Sequence, residues 1–341
     1  MKPLHALFIT LILGHAHAGP RAPLTPDERT NGAQTLAAVD AIALQVKSGV
    51  ALIVNDKDRI LTTATWVGSD GYFLTKASDA PMLEKTRIRW GEKQSAAIRE
   101  IHRSVIHDLV LAQAVGVTGM KAVTFDTKPR PVAYGQWLAS PVKGGREMKI
   151  GVMSAQRRQI RGDGAAIGVR MDETTTKGGG VRIVSIAEDS PAAAAGLRSD
   201  DVLIELAGEP LKESKQVREI IHDRQPGEQI EVKYRRADKI LSAQVRLASR
   251  TKILQNWEGE DFANGGISIR TDNFTQVIQH DLPMHPLDMG SPLLDLEGHV
   301  LGINIARVDR VTTFALPVEV FWKEFQPILE ADRHPPKAQK P

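Results

Sequence analysis

Residues His285–Asn304 read HPLDMGSPLLDLEGHVLGIN. The stretch has a β texture: short apolar runs broken by Gly, Pro and Asp. The same texture continues to FALP at Phe314–Pro317. Two side chains pose the chemical question. Ser291, in a Gly-Ser-Pro setting, carries a hydroxyl. Met289, two residues earlier, carries a thioether with no proton to give up.

Similar runs fill the chain from Gly49 onward: GVALIVN, TATWVGSDGYFLTKA, TRIRWG, SAAIREIH and HDLVLAQAV. YGQWLASPV and MKIGVMSAQ follow Pro129 and Pro131, and GGISIRTD and FTQVIQHD come after Arg250. Many short strands with turn punctuation favour a barrel or sandwich over a parallel α/β sheet. Before them, Leu36, Val39, Ala43 and Val46 recur at helical spacing, which predicts one short amphipathic helix over Ala33–Val46. Near the end, VEVFWKEFQPILE predicts a short helix, and ADRHPPKAQKP reads as a disordered tail.

The chain has 341 residues, 42% hydrophobic and 25% charged, with a formal net charge of +3. That bounds it to two or three domains with an ordinary soluble composition. The slight basic excess is scattered among acids and implies no nucleic-acid partner. There is no cysteine, so disulfides, a thiolate nucleophile and cysteine metal sites are excluded. The first twenty residues, MKPLHALFITLILGHAHAGP, place Lys2 before an apolar run and Ala16-His17-Ala18 after it. This predicts a signal peptide cleaved after Ala18, with an uncleaved anchor as the alternative. Residues 19–32 read as a Pro-rich polar leader. The expected product is secreted or periplasmic, with no stable membrane span after cleavage.

The middle of the chain differs. The strand VRIVSIAE precedes DSPAAAAGLRSDDVLIELAGEPL. Ser190 suits a helix N-cap, Pro191 its first turn and Gly196 its end. A second helix is predicted over Ser214–His222, with Val217, Ile220 and Ile221 on one face. Pro226-Gly227 turns into EQIEVKYRR, and ILSAQVRLAS is the last strand. Gly178-Gly179-Gly180 is not followed by Lys-Ser/Thr, so it reads as a hairpin connection and not a phosphate loop.

On DSPAAAAGLRSDDVLIELAGEPL, residues 161–250 resemble a PDZ domain of the bacterial protease-associated type. The flanking domain parts, 49–160 and 251–330, resemble the HtrA family of trypsin-like serine proteases over residues 50–160 and 262–320. GSDGYFLTKASDA is similar to the segment ending in that family's catalytic histidine, HDLVLAQ to the segment beginning with its aspartate, and HPLDMGSPLLDLEGHVLGIN to its nucleophile loop. The resemblance implies a mainly β fold: a chymotrypsin-like double β-barrel interrupted by an α+β PDZ domain, followed by a tail at 331–341. It puts Ser78 at the histidine position, Asp108 at the aspartate and Met289 at the nucleophile, with Leu287 where the family has a glycine.

Acyl transfer needs a hydroxyl or thiol and a base to take its proton. Met289 cannot serve as the nucleophile, Ser78 has no imidazole to serve as the base, and Leu287 narrows the backbone available to an oxyanion hole. Losing even one triad member typically removes roughly 5 to 8 kcal/mol of transition-state stabilisation. The rescue candidate is Ser291 with a base from His102, His107, His280 or His285, which otherwise read as strand-edge or surface residues. No cofactor or metal is expected.

PDZ domains bind an extended peptide as an added strand with its terminal carboxylate in a backbone nest. By resemblance, Ala166-Ile167-Gly168-Val169 is the carboxylate loop, and Val217, Ile220 and Ile221 form the groove wall. The expected function is an exported pseudoprotease that binds apolar polypeptide C-termini or unfolded proteins. The alternatives are an atypical serine endopeptidase using Ser291 and a scaffold whose barrels form a homo-oligomer.

Overall fold

The computed structural model describes residues 25–28, 32–37, 39–128, 130–162, 164–172, 176, 178–222, 224–250, 253 and 266–334. The export signal at 1–18, the leader up to residue 24 and the tail from 335 lie outside the described residues.

Strands β1 (Val50–Val54), β2 (Ile60–Trp66), β3 (Tyr72–Lys76), β4 (Arg87–Trp90), β5 (Gln94–Ser104) and β6 (Leu109–Ala114) close into a barrel of order β1-β2-β3-β6-β5-β4. VALIV and YFLTK are buried throughout, as strands covered on both faces must be. Inside, Trp66 meets Phe73 and Trp90 edge-on, each at 5.7 Å. This geometry suits the opposed charge of ring face and ring edge.

Strands β7 (Trp137–Val142) and β8 (Glu147–Ile160) form a hairpin that begins a second barrel. The chain then leaves for the middle domain. There β9 (Ala165–Ala166), β10 (Val169–Met171), β11 (Val181–Ile186), β12 (Val202–Leu206), β13 (Glu209–Pro210), β14 (Gln229–Arg236), β15 (Lys239–Arg246) and β16 (Ala248–Ser249) follow in turn. The main sheet has the order β10-β11-β12-β14-β15, with β13 beside β12. β9 and β16 pair with each other where the chain enters and leaves. Ser190 caps the helix Pro191–Ala194 by accepting from the Ala193 amide at 3.2 Å. The helix Ser214–His222 buries Val217 and Ile221.

The second barrel resumes with β17 (Phe274–His280), β18 (Pro292–Leu294), β19 (Val300–Arg307) and β20 (Thr313–Pro317). It closes as β17-β20-β19-β18-β7-β8. Phe274 lies opposite Ile160, so the residues before and after the middle domain are cross-strand partners. A domain with adjacent termini enters a sheet there without breaking its ladder.

Two elements differ from the sequence reading. The first helix is two pieces, Ala33–Ala37 and Asp40–Val46, separated by a turn at Val39. The Val39 amide bonds the Leu36 carbonyl, a tighter i+3 closure. The buried face is Val39, Ile42 and Val46, while Leu36 and Ala43 stay partly open to solvent. The final helix spans Val318–Arg333, three residues into the stretch read as tail. Tertiary contacts hold that last turn: Tyr72 and Arg99 donate to Asp332, and Arg333 grips Asp70 at 2.8 and 3.0 Å.

That helix locks the barrels together. Its Phe321, Phe325 and Leu329 share a core with Val39, Ile42 and Val46, with Leu74 and Leu111 of the first barrel and with Ile303 and Leu316 of the second. Phe321→Ala removes a fully buried ring from this junction. It should lower stability by about 3–5 kcal/mol, read as a shift of the urea midpoint. A loss under about 1 kcal/mol would mean that the barrels do not depend on this core.

Candidate functional site

The position read as catalytic histidine is Ser78, directly after Ala77 at the end of β3. Its amide donates to Asp108 Oδ1 at 2.7 Å and its hydroxyl to Oδ2 at 2.8 Å. Ala77 N donates to the Asp108 carbonyl, and Asp108 itself sits at φ 55°, a left-handed backbone. The carboxylate therefore closes a tight corner. Lys76 Nζ, fully buried, lies 3.9 Å from Asp108 and 3.6 Å from Asp79. A buried charge without a counter-charge is strongly destabilising, so this cluster is held as a unit.

The middle domain covers the corner. A 290 Å³ cavity is bounded by Ser78, Asp108 and Arg103 on one side and by Pro226, Gly227 and Glu228 on the other. Gly227 has φ 93°, and a Cβ there would stand 2.8 Å from the Ser78 Cβ. Only 3% of Ser78 is exposed. The Gly227 turn therefore lies directly against Ser78 and covers it.

At the position read as nucleophile the Met289 side chain is fully buried, packed with Leu138, Met153, Ile278 and Leu293 in the second barrel's core. Its backbone is tied to the first barrel. Thr62 Oγ1 and Thr63 N both donate to the Met289 carbonyl, at 2.7 and 2.9 Å. Thr63 Oγ1 donates to Leu287 O and Thr65 Oγ1 to Gly290 O. The amides are also engaged. Leu287 N donates to His285 Nδ1, Asp288 N to His285 O, Met289 N to Pro286 O, Gly290 N to Asn304 O and Ser291 N to Asp288 O. An oxyanion hole needs amides aimed at the reacting oxygen. Here all five amides from Leu287 to Ser291 already have partners within the protein.

Ser291 is fully buried and belongs to a different network. Asn304 Nδ2 donates to Ser291 Oγ at 3.1 Å and to Ser140 Oγ at 2.9 Å. Asn304 Oδ1 pairs with His280 Nε2 at 2.9 Å, while His280 Nδ1 accepts from Leu282 N. Those partners assign the proton to Nε2. Both ring nitrogens are occupied, and neither meets Ser291. Burial pushes the His280 imidazole down to about 4, against a smaller upward pull from its bond to Asn304.

The other three histidines have structural partners. His102 and His107 share the Glu324 carboxylate of the final helix at 2.6 and 3.3 Å. Burial also holds His107 below the usual imidazole range. His285 caps the turn before Met289. Two of the four are thus not surface residues: His280 is fully buried and His107 nearly so. Among the described residues, one group has metal-ligand geometry: Asp295, Glu297 and His299. The Asp295 carboxylate there accepts from the Glu297 and His299 amides and contacts His299 Nδ1, which closes a β-turn.

The middle domain holds a 580 Å³ groove between the segment 164–171 and the helix Ser214–His222. Ala166, Ile167, Gly168 and Val169 line one side, and Val217 and Ile221 the other. Ile220 does not line it; it packs against the domain's own core. At 100° per residue, Val217, Arg218, Ile221 and His222 share one helix face and Ile220 turns away from it. Gly168 has φ 79°, and a Cβ there would collide with Ser190. Sequence reasoning missed Arg170, Arg218, Arg250 and Ile253, which also line the groove. A check of helical phase would have found Arg218; Ile253 lies outside any pattern of the domain.

Residues 165–247 match the family model of the PDZ domain. A curated relative, the probable periplasmic serine endoprotease DegP-like of Rickettsia conorii, is 26% identical over 103 residues, which are 30% of this chain. The match spans 20% of that relative's length. Among solved structures, the serine endoprotease from Yersinia pestis is 14% identical over 67% of this chain and 99% of its own, with a TM-score of 0.30. The HtrA-type protease AlgW with decapeptide is 12% identical over 61% of this chain and 98% of its own, with a TM-score of 0.28.

Two outcomes follow from this geometry. Ser78→His pushes a ring against Gly227, so stability should fall by about 1–3 kcal/mol without any gain of casein cleavage. Urea unfolding and a fluorescent casein assay measure the two, and restored cleavage would refute the blocked corner. The second concerns acid. With an imidazole near 4 in the fold and 6.5 when unfolded, the unfolded chain binds more protons between those values. Stability is then full above pH about 6.5 and falls by about 3 kcal/mol as pH drops to about 4. His280→Gln should remove that part of the slope in urea midpoints at pH 7.5 and 4.5. An unchanged acid loss would assign it elsewhere.

Proposed function

We propose that this HtrA-like chain, with a PDZ domain set between the halves of its second barrel, is an exported peptide-binding protein without peptide-bond hydrolysis. The observation that carries the reading is the loop at Met289. Its side chain is core, its carbonyls bond the first barrel, and its amides are already engaged. Acyl transfer needs a nucleophile, a base and free amides together. Among the described residues the hydroxyls of Ser78 and Ser291 bond no histidine ring, and both are buried.

The PDZ groove is open to solvent. In this reading a peptide adds as a strand beside Val169, with its terminal carboxylate at Ile167-Gly168 and an apolar side chain against Val217 and Ile221. The clients are polypeptide C-termini or unfolded proteins, met in the periplasm or outside the cell. Support for that location comes from the signal pattern at residues 1–18 and from the curated relative, named as periplasmic. No helix among the described residues is long and apolar enough to cross a membrane.

Purified protein lacking residues 1–18 should leave labelled unfolded casein intact and react with no active-site serine probe. It should bind peptides with a free apolar C-terminus in the micromolar range, about 8 kcal/mol, and lose them when the terminus is amidated. Casein cleavage abolished by Ser291→Ala would replace this reading with an atypical endopeptidase. A peptide array without enrichment for apolar termini would remove the binding role.

A further inference from the structure

Residues 161–250 carry fifteen Lys or Arg and fifteen Asp or Glu, so the PDZ domain is balanced in charge. Its groove is not. Arg170, Arg218, Arg250 and His222 line it, and no carboxylate does among the described residues.

The imbalance is a matter of pairing. Elsewhere in the domain basic side chains meet acids: Arg182 with Asp200, Lys215 with Glu219, Arg224 with Glu228, Lys233 with Glu205 and Arg236 with Asp201. Among the described residues, Arg170, Arg218 and Arg250 form no such pair, and all three are exposed. They also come from three elements: Arg170 from β10, Arg218 from the helix and Arg250 from the chain just after β16. An isolated exposed arginine is ordinary. Three that are unpaired among the described residues, lining one groove, create a local positive field in a domain of no net charge.

A bound peptide brings one terminal carboxylate to the Ile167-Gly168 backbone, where it can neutralise at most one neighbouring guanidinium. Two remain beside the ligand. We propose that this groove selects C-terminal peptides whose apolar last residue is preceded by acidic side chains, with Arg170 and Arg218 as the specificity-determining residues. The inference rests on the peptide-binding reading of the same groove. It deepens that reading from apolar C-termini to acidic-apolar ones. Guanidinium groups suit the task because they present planar paired donors to a carboxylate and stay charged at any working pH. Each contact is exposed, so its effect is modest and sensitive to salt.

The test uses fluorescein-labelled peptides ending in Glu-Glu-Ala-Val, Gln-Gln-Ala-Val and Lys-Lys-Ala-Val, titrated into the full chain lacking residues 1–18 and read by anisotropy. The Glu peptide should bind about 3- to 10-fold tighter than the Gln peptide at low ionic strength, and the Lys peptide more weakly than either. The gap should close in 0.5 M salt. In the Arg170→Gln, Arg218→Gln double variant, Glu and Gln peptides should bind alike. Gln binding with no Glu advantage would overturn the acidic preference and leave the peptide-binding reading standing. A Glu advantage that survives both in high salt and in the double variant would overturn the arginine assignment. Failure of all three peptides to bind would overturn both readings.

Discussion

The structure depends on how the Leu287–Gly290 turn is tied to the threonines of β2. Three hydroxyls and one amide from Thr62, Thr63 and Thr65 donate to three carbonyls of that turn. Each such bond contributes only about 1 kcal/mol net. Their larger effect is directional. With its carbonyls held by the first barrel, the turn sends the Met289 side chain the other way, into the second barrel's core. A reactive side chain must stand in the cleft between barrels, and this one is structural filling. A thioether suits the task, since methionine is flexible and polarisable and fits irregular gaps.

The same constraint explains the polar groups that survive behind the turn. Gly290 N and Ser291 N are used locally, and Asn304 joins Ser291, Ser140 and His280 beneath them. A buried polar network is favourable only when every member is satisfied. Converting Ser291 into a nucleophile would remove the Asn304 bond, demand a base that His280 cannot reach, and expose an atom now fully buried. These costs act together, because the side chains share one network.

Much of this fold was legible in the residues. The strands announce themselves by short apolar runs between turn residues, and the PDZ helices by Ser190, Pro191 and the spacing of Val217 and Ile221. What was not legible depends on distant contacts or on local backbone choice. The apolar period runs straight through Val39, yet the backbone closes early there. Asp332 and Arg333 read as a polar tail, but they find Tyr72, Arg99 and Asp70 more than 200 residues away. His280 read as a strand-edge or surface histidine because its partner, Asn304, is 24 residues on. Sequence shows that position 78 has no imidazole and position 289 no hydroxyl, but not how either side chain is buried. That Gly227 of the inserted domain closes over Ser78 needed the fold.

Asp108 then needs a reason other than catalysis, and its surroundings give one. Its backbone is left-handed, its two oxygens receive the Ser78 amide and hydroxyl, and Lys76 stands close by with no water-facing surface. Removing the carboxylate would leave a buried ammonium with only Asp79 to balance it, and would free the Ser78 amide in a covered corner. Breaking one partner of a buried ion pair commonly costs about 3–5 kcal/mol, a large share of what holds an ordinary domain together. The fold alone gives this aspartate a structural task at the Ser78 corner. The PDZ turn at Pro226–Glu228 covers that corner, and the groove of the same domain is lined by other residues altogether.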